Sequence, residues 1–159
     1  MILTPTTSPS RVAARALLLG AATGSRSSLG LGAPVLADWG ARRKAGTGSW
    51  ARASGAVAAL SGVVGELVGD KLPSAPSRLE PPSPQIRAGS GAAGSVLLSR
   101  HASANPLVPA LAGALGAAAG TYAGAAWRGW AVGRVPDWQA AVAEDVVALL
   151  LARAAVRGW

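Results

Sequence analysis

The run PLVPALAGALGAAAGTYAGAAW, Pro106 to Trp127, decides how the rest of the chain is read. Its 22 residues carry no formal charge. It opens with Pro106 and Pro109, which the first turn of a helix tolerates because the N–H groups there have no intrahelical partner. It closes on Tyr122, Trp127 and Arg128, the amphipathic residue types of a membrane–water interface. A helix needs about 20 apolar residues to cross the hydrocarbon of a bilayer, and shorter apolar runs are more often core helices of soluble proteins. Gly116, Gly120 and Gly124 make two consecutive GxxxG steps, a surface on which a second backbone can come close.

Composition points the same way. Half of the 159 residues are hydrophobic and 14% are charged, against about 25% charged in a soluble domain. Mean hydropathy is positive at +0.35. The apolar content comes mainly from Ala and from 21 Gly, with no Phe. The alternative is a soluble Ala-rich helical protein whose hydrophobic runs are core. The net charge of +8 suits loops that flank membrane spans and touch lipid headgroups. A nucleic-acid partner is not expected, because the arginines fall between apolar segments rather than clustering on one face with aromatics. With no cysteine, disulfides, thiolate metal sites and cysteine nucleophiles are excluded.

Toward the N-terminus, residues 53–72 form a second apolar segment. Gly62, Gly65 and Gly69 lie at helical spacing there, and Ala58/Gly62 and Gly65/Gly69 are small-xxx-small pairs. Asp38 to Arg52 reads as a basic loop edged by Trp39 and Trp50. Residues 12–37 are apolar but interrupted by Gly24-Ser25-Arg26-Ser27-Ser28. Neither half reaches the length of a span, so this is one element broken at Gly24–Ser28, a break allowed at membrane depth only if it is buried in protein or faces water. A cleaved signal peptide ending at Val35-Leu36-Ala37 is the alternative, but Arg26 sits in its would-be core. Residues 1–10 read as a disordered leader.

The segment Gly65-Glu66-Leu67-Val68-Gly69-Asp70-Lys71-Leu72-Pro73 ends a helix in charge, and residues 73–84 hold a proline-rich strap that cannot be helical. A short polar segment at 86–99 and a turn at Arg100-His101 lead back to Pro106. Beyond Trp127, a loop to Trp138 ends in Pro136-Asp137, which reads as the cap of a last helix over 138–156. That helix carries Glu144 and Asp145 early and Arg153 and Arg157 late, in keeping with the helix dipole. Gly20–Ser25 aligns with Gly116–Thr121, a weak internal match of the kind found in transporters built from two halves. Counted over five segments, the basic residues divide evenly between the two sides and give no orientation.

Glu66 and Asp70 share one helix face four residues apart, and Asp70 lies near the C-terminal end, where the dipole disfavours an anion. The pair therefore requires a cation or a proton. Lys71, Arg78, Arg26 or a bound metal ion could supply it, and buried membrane charges are costly enough to face a partner or a water cavity. Two readings follow. Arg26 with Glu66 and Asp70 forms an ion-pair network that locks helices together. Alternatively, Glu66, Asp70, Glu144 and Asp145 converge on a proton or small-cation site. Acids at water-exposed helix ends, with no site, are the remaining case. No catalytic constellation is present. His101 stands alone in a turn, no metal-ligand spacing exists, and the glycine runs do not match a phosphate loop. No cofactor is expected.

The stretch Gly65–Pro82 resembles the central signature of a bacterial family of small integral membrane proteins that is classed only as a domain of unknown function. Gly20–Gly30 with Gly24-Ser25-Arg26-Ser27-Ser28, Ala119–Arg128 with Gly120-Thr121-Tyr122-Ala123-Gly124, and Pro136–Ala152 with Ala143-Glu144-Asp145-Val146-Val147-Ala148 are similar to it too. The resemblance implies a multi-helix protein of the bacterial inner membrane and supplies no activity or ligand. Ser90–Asn105 is unusually polar for such a family.

The expectation is thus an all-α polytopic membrane bundle of four or five segments, packed through glycine. Its role is that of a small transporter or channel-like protein with a charged midplane site, or of a structural or accessory membrane protein. Its surroundings are the lipid bilayer and, through the GxxxG faces, a second copy.

Overall fold

The computed structural model describes residues 8–69 and 79–158. Among these it contains six α-helices and no strand: α1 (Pro9–Ser25), α2 (Leu29–Lys44), α3 (Trp50–Gly69), α4 (Ser83–His101), α5 (Leu107–Ala131) and α6 (Asp137–Ala155).

Several boundaries differ from the sequence reading, each for a local reason. The interrupted element is two helices, because the chain leaves helical geometry at Arg26, whose φ and ψ are −138° and 103°. α1 begins at Pro9, inside the stretch read as a leader, with its proline in the tolerated first turn. The basic loop shrinks to residues 45–49. Asp38 and Arg42 pair across one helical turn at 2.8 Å, and the Arg42, Arg43 and Lys44 cations favour the α2 C-terminus, so α2 continues through them. α4 starts at Ser83 with Pro84 in its first turn and runs through His101, absorbing part of the strap and the presumed turn. The Pro136-Asp137 cap does not form, since Pro136 is the N-cap and no side chain closes it. Asp137 instead pairs with Arg128 at 2.7 Å.

Glycine contacts fix the directions of the helices. A Cβ on Gly20 would strike Gly113 and Ala117, and one on Gly24 would strike Ala117, Gly120 and Thr121. α1 and α5 therefore run parallel, with the similar blocks Gly20–Ser25 and Gly116–Thr121 side by side. α4 runs opposite to α1, since Gly94 faces Leu19 while Arg87 reaches Gly24. α2 travels with α4: Gly30 touches Ser90 and Gly94, and Pro34, Val35 and Asp38 lie by Leu97, Arg100 and His101. The chain thus reverses at Arg26–Ser28, and α1 and α2 form a hairpin rather than one broken span. α3 returns antiparallel along α2, and α6 returns along α1 from the Trp127–Ala140 hydrogen bond to Arg15 and Arg157.

Ser8, the α2–α3 loop, the α4–α5 loop and Gly158 consequently share one end, called basal here. The α5–α6 loop lies at the other, distal end. The helix reversal is internal: Thr121, which hydrogen-bonds Gly24 O, sits about 15 Å from the distal end of α5 at roughly 1.5 Å per residue.

Two helices, Trp50–Val68 and Leu107–Ala131, are long and apolar enough to cross a membrane; their mean hydropathy is 1.3 in both cases.

Candidate functional site: a charged centre at the helix reversal

Reversing a helix inside a protein exposes two sets of unpaired backbone groups, the last carbonyls of α1 and the first N–H groups of α2. Each set is met by side chains from another helix. At the α2 start, Glu66 of α3 accepts from the Ser27 and Ser28 amides, both at 2.7 Å, and from the Ser27 hydroxyl at 3.0 Å. A carboxylate there completes the orphan donors and lies at the positive end of the α2 dipole. At the α1 end, Gly24 O accepts from Arg87 Nη1 at 2.8 Å and from the Thr121 hydroxyl at 3.3 Å, placing a cation at the negative end of α1. The Ser90 hydroxyl donates to Ser27 O at 2.7 Å.

Arg26, only 2% exposed, points from the reversal into α6. Its Nε donates to Asp145 Oδ1 at 2.8 Å, and its Nη2 pairs with the same oxygen. Arg87 is the second buried arginine, held by Ser83 Oγ at 3.2 Å and lying 3.7 Å from Glu66 Oε1. Side-chain hydrogen bonds and ion pairs from α3, α4, α5 and α6 thus converge on the Gly24–Ser28 turn.

Among the candidate residues, Arg26, Glu66 and Asp145 come together here. The partnership differs from the one expected: Arg26 takes Asp145, whereas Glu66 is satisfied by the turn's own amides. Asp70, Lys71 and Arg78 lie outside the described residues, as does most of the strap. Glu144 is buried at 5% exposed. It lines a groove of about 440 Å³ between α5 and α6, floored by Ala21 and Ser25 of α1 and walled by Gly120, Gly124 and Trp127.

The glycines separate into two groups. Gly116 and Gly120 pack on the α1 backbone at Leu17 and Ala21, so that GxxxG face is occupied within the chain, and Gly124 is buried. Gly65 faces open space, and Gly62 has one ordinary contact, 3.9 Å to Ser28 Cβ. Gly69 ends α3. The expected close packing through the α3 glycines does not occur at Gly62 and Gly65.

Sequence reasoning missed Arg87, although its signal was the one used for Arg26: a lone arginine in a glycine-rich helical run. It also missed Gly24, Gly91 and Gly113, which make the α1–α5 and α4–α5 crossings, and Gly94, which packs on Gly30 of α2 and Leu19 of α1. No protein-family model, no curated protein and no solved structure matches the chain.

Proposed function

We propose that this protein is a multi-pass integral membrane protein of transporter-like build, in which a proton or small cation is handled beside Glu144 while the other buried charges lock the α1–α2 hairpin. The observation that carries the membrane reading is an inversion of normal polarity. The buried positions are mostly Ala, Gly, Ser and Thr, together with Arg26, Arg87, Glu144 and Asp145. Most of the large apolar residues of α3, α5 and α6 face out: Val57, Leu60, Val64 and Val68 on α3, Leu107, Leu111 and Leu115 on α5, Val146, Val147 and Leu150 on α6, while Val12, Leu19, Leu29, Val63 and Leu98 are buried. A water-soluble globule buries its largest apolar side chains and exposes its charges. The opposite arrangement suits lipid, where charges face the bundle interior.

α4 and α6 are the less apolar passes, and they carry their polar residues inward: Arg87, Ser95 and Ser99 on α4, Glu144 and Asp145 on α6. The hairpin is a re-entrant element, with its irregular backbone covered by protein. Its two helix termini meeting at depth follow the plan of discontinuous transporter helices.

The reversal also changes the orientation argument. With α1–α2 entering and leaving on the basal side, Arg11, Arg15, Arg42, Arg43, Lys44, Arg52, Arg100, Arg153 and Arg157 gather at that end, against Arg128 and Arg134 at the distal end among the described residues. The positive-inside rule then puts the basal end in the cytoplasm, consistent with the inner-membrane placement that the family resemblance implies.

At the centre, Arg26 pairs with Asp145 and Arg87 lies 3.7 Å from Glu66, while Glu144 is buried next to Asp145 on α6. Of these carboxylates, Glu144 is the one that borders a groove. A purely structural or accessory role is the second reading, supported by the complete engagement of Glu66 with the turn. Reconstituted vesicles separate the two. Glu144→Gln is expected to lower proton- or cation-dependent flux by roughly tenfold or more, as loss of a general proton-transfer group does, with folded protein still recovered in detergent. Wild-type flux indistinguishable from empty vesicles would leave only the structural role.

A further inference from the structure

The basal end holds a second polar cavity, away from the charged centre. It has a volume of about 370 Å³ and lies between α2, α3 and α4. Its rim brings guanidiniums from three helices to one opening: Arg42, Arg52 and Arg100. Its floor is apolar, built from Pro34, Val35 and Leu97. One carboxylate lines it, Asp38, and that group is already taken by Arg42 Nε at 2.8 and 2.9 Å.

Arg52 donates only to the Ser49 hydroxyl, at 3.3 Å. Arg100 has no hydrogen-bond or ion-pair partner through its side chain among the described residues. With Asp38 engaged by Arg42, Arg52 and Arg100 line the opening without a carboxylate partner among the described residues, beside a region that already carries Arg43 and Lys44. Trp39, with the Arg43 guanidinium 5.4 Å from its ring centre, and the exposed Trp50 lie at the same level, the aromatic types that settle at a headgroup boundary.

We infer that this cavity is a binding site for the phosphate headgroup of an anionic phospholipid of the cytoplasmic leaflet. Guanidinium forks match phosphate oxygens in pairs, and basic pockets between membrane helices on the cytoplasmic side suit such headgroups. The cavity is amphipathic in the matching sense. The basic rim meets the phosphodiester, and the Pro34–Val35–Leu97 floor takes the start of the glycerol and acyl region. A soluble phosphate would use the rim and leave the floor unused. An ordinary solvated arginine face would need neither a cavity nor three helices.

The inference rests on the membrane reading, and its test is separable from it. The full chain, in neutral detergent, is titrated with phosphatidylglycerol, phosphatidylcholine or inorganic phosphate, and bound lipid is counted by native mass spectrometry. Phosphatidylglycerol is expected to bind saturably and roughly tenfold or more tighter than phosphatidylcholine, given about 1 kcal/mol per basic residue near an anionic surface. The Arg52→Gln/Arg100→Gln double variant is expected to lose that preference with its helical circular dichroism unchanged. Arg52→Lys/Arg100→Lys, which keeps the charge and loses the fork, should recover part of it. Equal binding of the two lipids, a double variant that still selects phosphatidylglycerol, or saturation by inorganic phosphate without lipid preference would overturn the assignment. Recovery of the protein in the aqueous fraction after carbonate washing would instead overturn the membrane reading beneath it.

Discussion

α3 and α5 look alike in sequence and behave differently in the fold. Both reach a mean hydropathy of 1.3 over a spanning length, and both carry glycines at four-residue spacing, yet 11% of the α3 window is buried against 39% for α5. α5 lies against α1 with glycine on both sides of the crossing, Gly20 and Gly24 meeting Gly113, Gly116 and Gly120. α3 meets α2 through Val63, which packs 3.1 Å from where a Cβ on Gly32 would stand. The outer glycine Gly65 meets nothing. Close helix approach therefore depends on small residues in both partners at the same level, and one helix's glycine pattern does not tell which face will be used.

That contrast can be broken most severely at Gly24. A leucine there would drive its Cβ into α5 backbone, with Gly120 C 2.6 Å away, and also displace the carbonyl that Arg87 and Thr121 hold. Gly24→Leu is expected to abolish recovery of folded protein, whereas Gly65→Leu on α3 should keep yield at the wild-type value and melting temperature at or slightly above it. Size-exclusion profiles in detergent decide both. Next in size is Asp145→Asn, which breaks the buried Arg26–Asp145 ion pair and should cost about 3–5 kcal/mol. Arg26→Gln added to it should restore part of that loss, read by thermal unfolding in detergent.

Glu66→Gln is milder. The amide oxygen can still accept from one of the Ser27 and Ser28 amides, so a loss of about 1–3 kcal/mol is expected for the donor left unpaired. Hydrogen exchange should show it as faster exchange confined to the start of α2. The smallest effect is Gly65→Ala. Replacing an exposed helical glycine should stabilise α3 by up to about 1 kcal/mol; a destabilised variant would mean that the outer face of α3 is packed after all.

Much of this architecture was legible in the chain. The uncharged run at 106–127 marked α5, and Gly24–Ser28 marked the break, because glycine, three serines and an arginine cannot lie unsupported in an apolar helix. Arg26, Glu66 and Asp145 stood out as charges in apolar surroundings. Their partners did not, because pairing depends on which helices adjoin. Arg26 meets α6 rather than α3 only because α1 turns back on itself and leaves the α2 start for Glu66 to cap. The reversal was hidden for the same reason. A broken span and a re-entrant hairpin have the same local sequence, and what separates them is the packing of Leu19 of α1 and Gly30 of α2 at one level of α4, both on Gly94, contacts distant in sequence. Five crossings spread the arginines evenly, and the hairpin gathers them at one end.

The absence of cysteine makes that reversal directly measurable. Single cysteines placed at Ser8, Thr47 and Val132 can be labelled with an impermeant maleimide in sealed inside-out and right-side-out vesicles. A hairpin at Arg26–Ser28, in the membrane orientation proposed above, predicts that Ser8→Cys and Thr47→Cys label together from the cytoplasmic face and Val132→Cys from the opposite face. Labelling of Ser8→Cys and Thr47→Cys from opposite faces would mean that α1 and α2 cross the membrane as one broken span, and would contradict the fold as described.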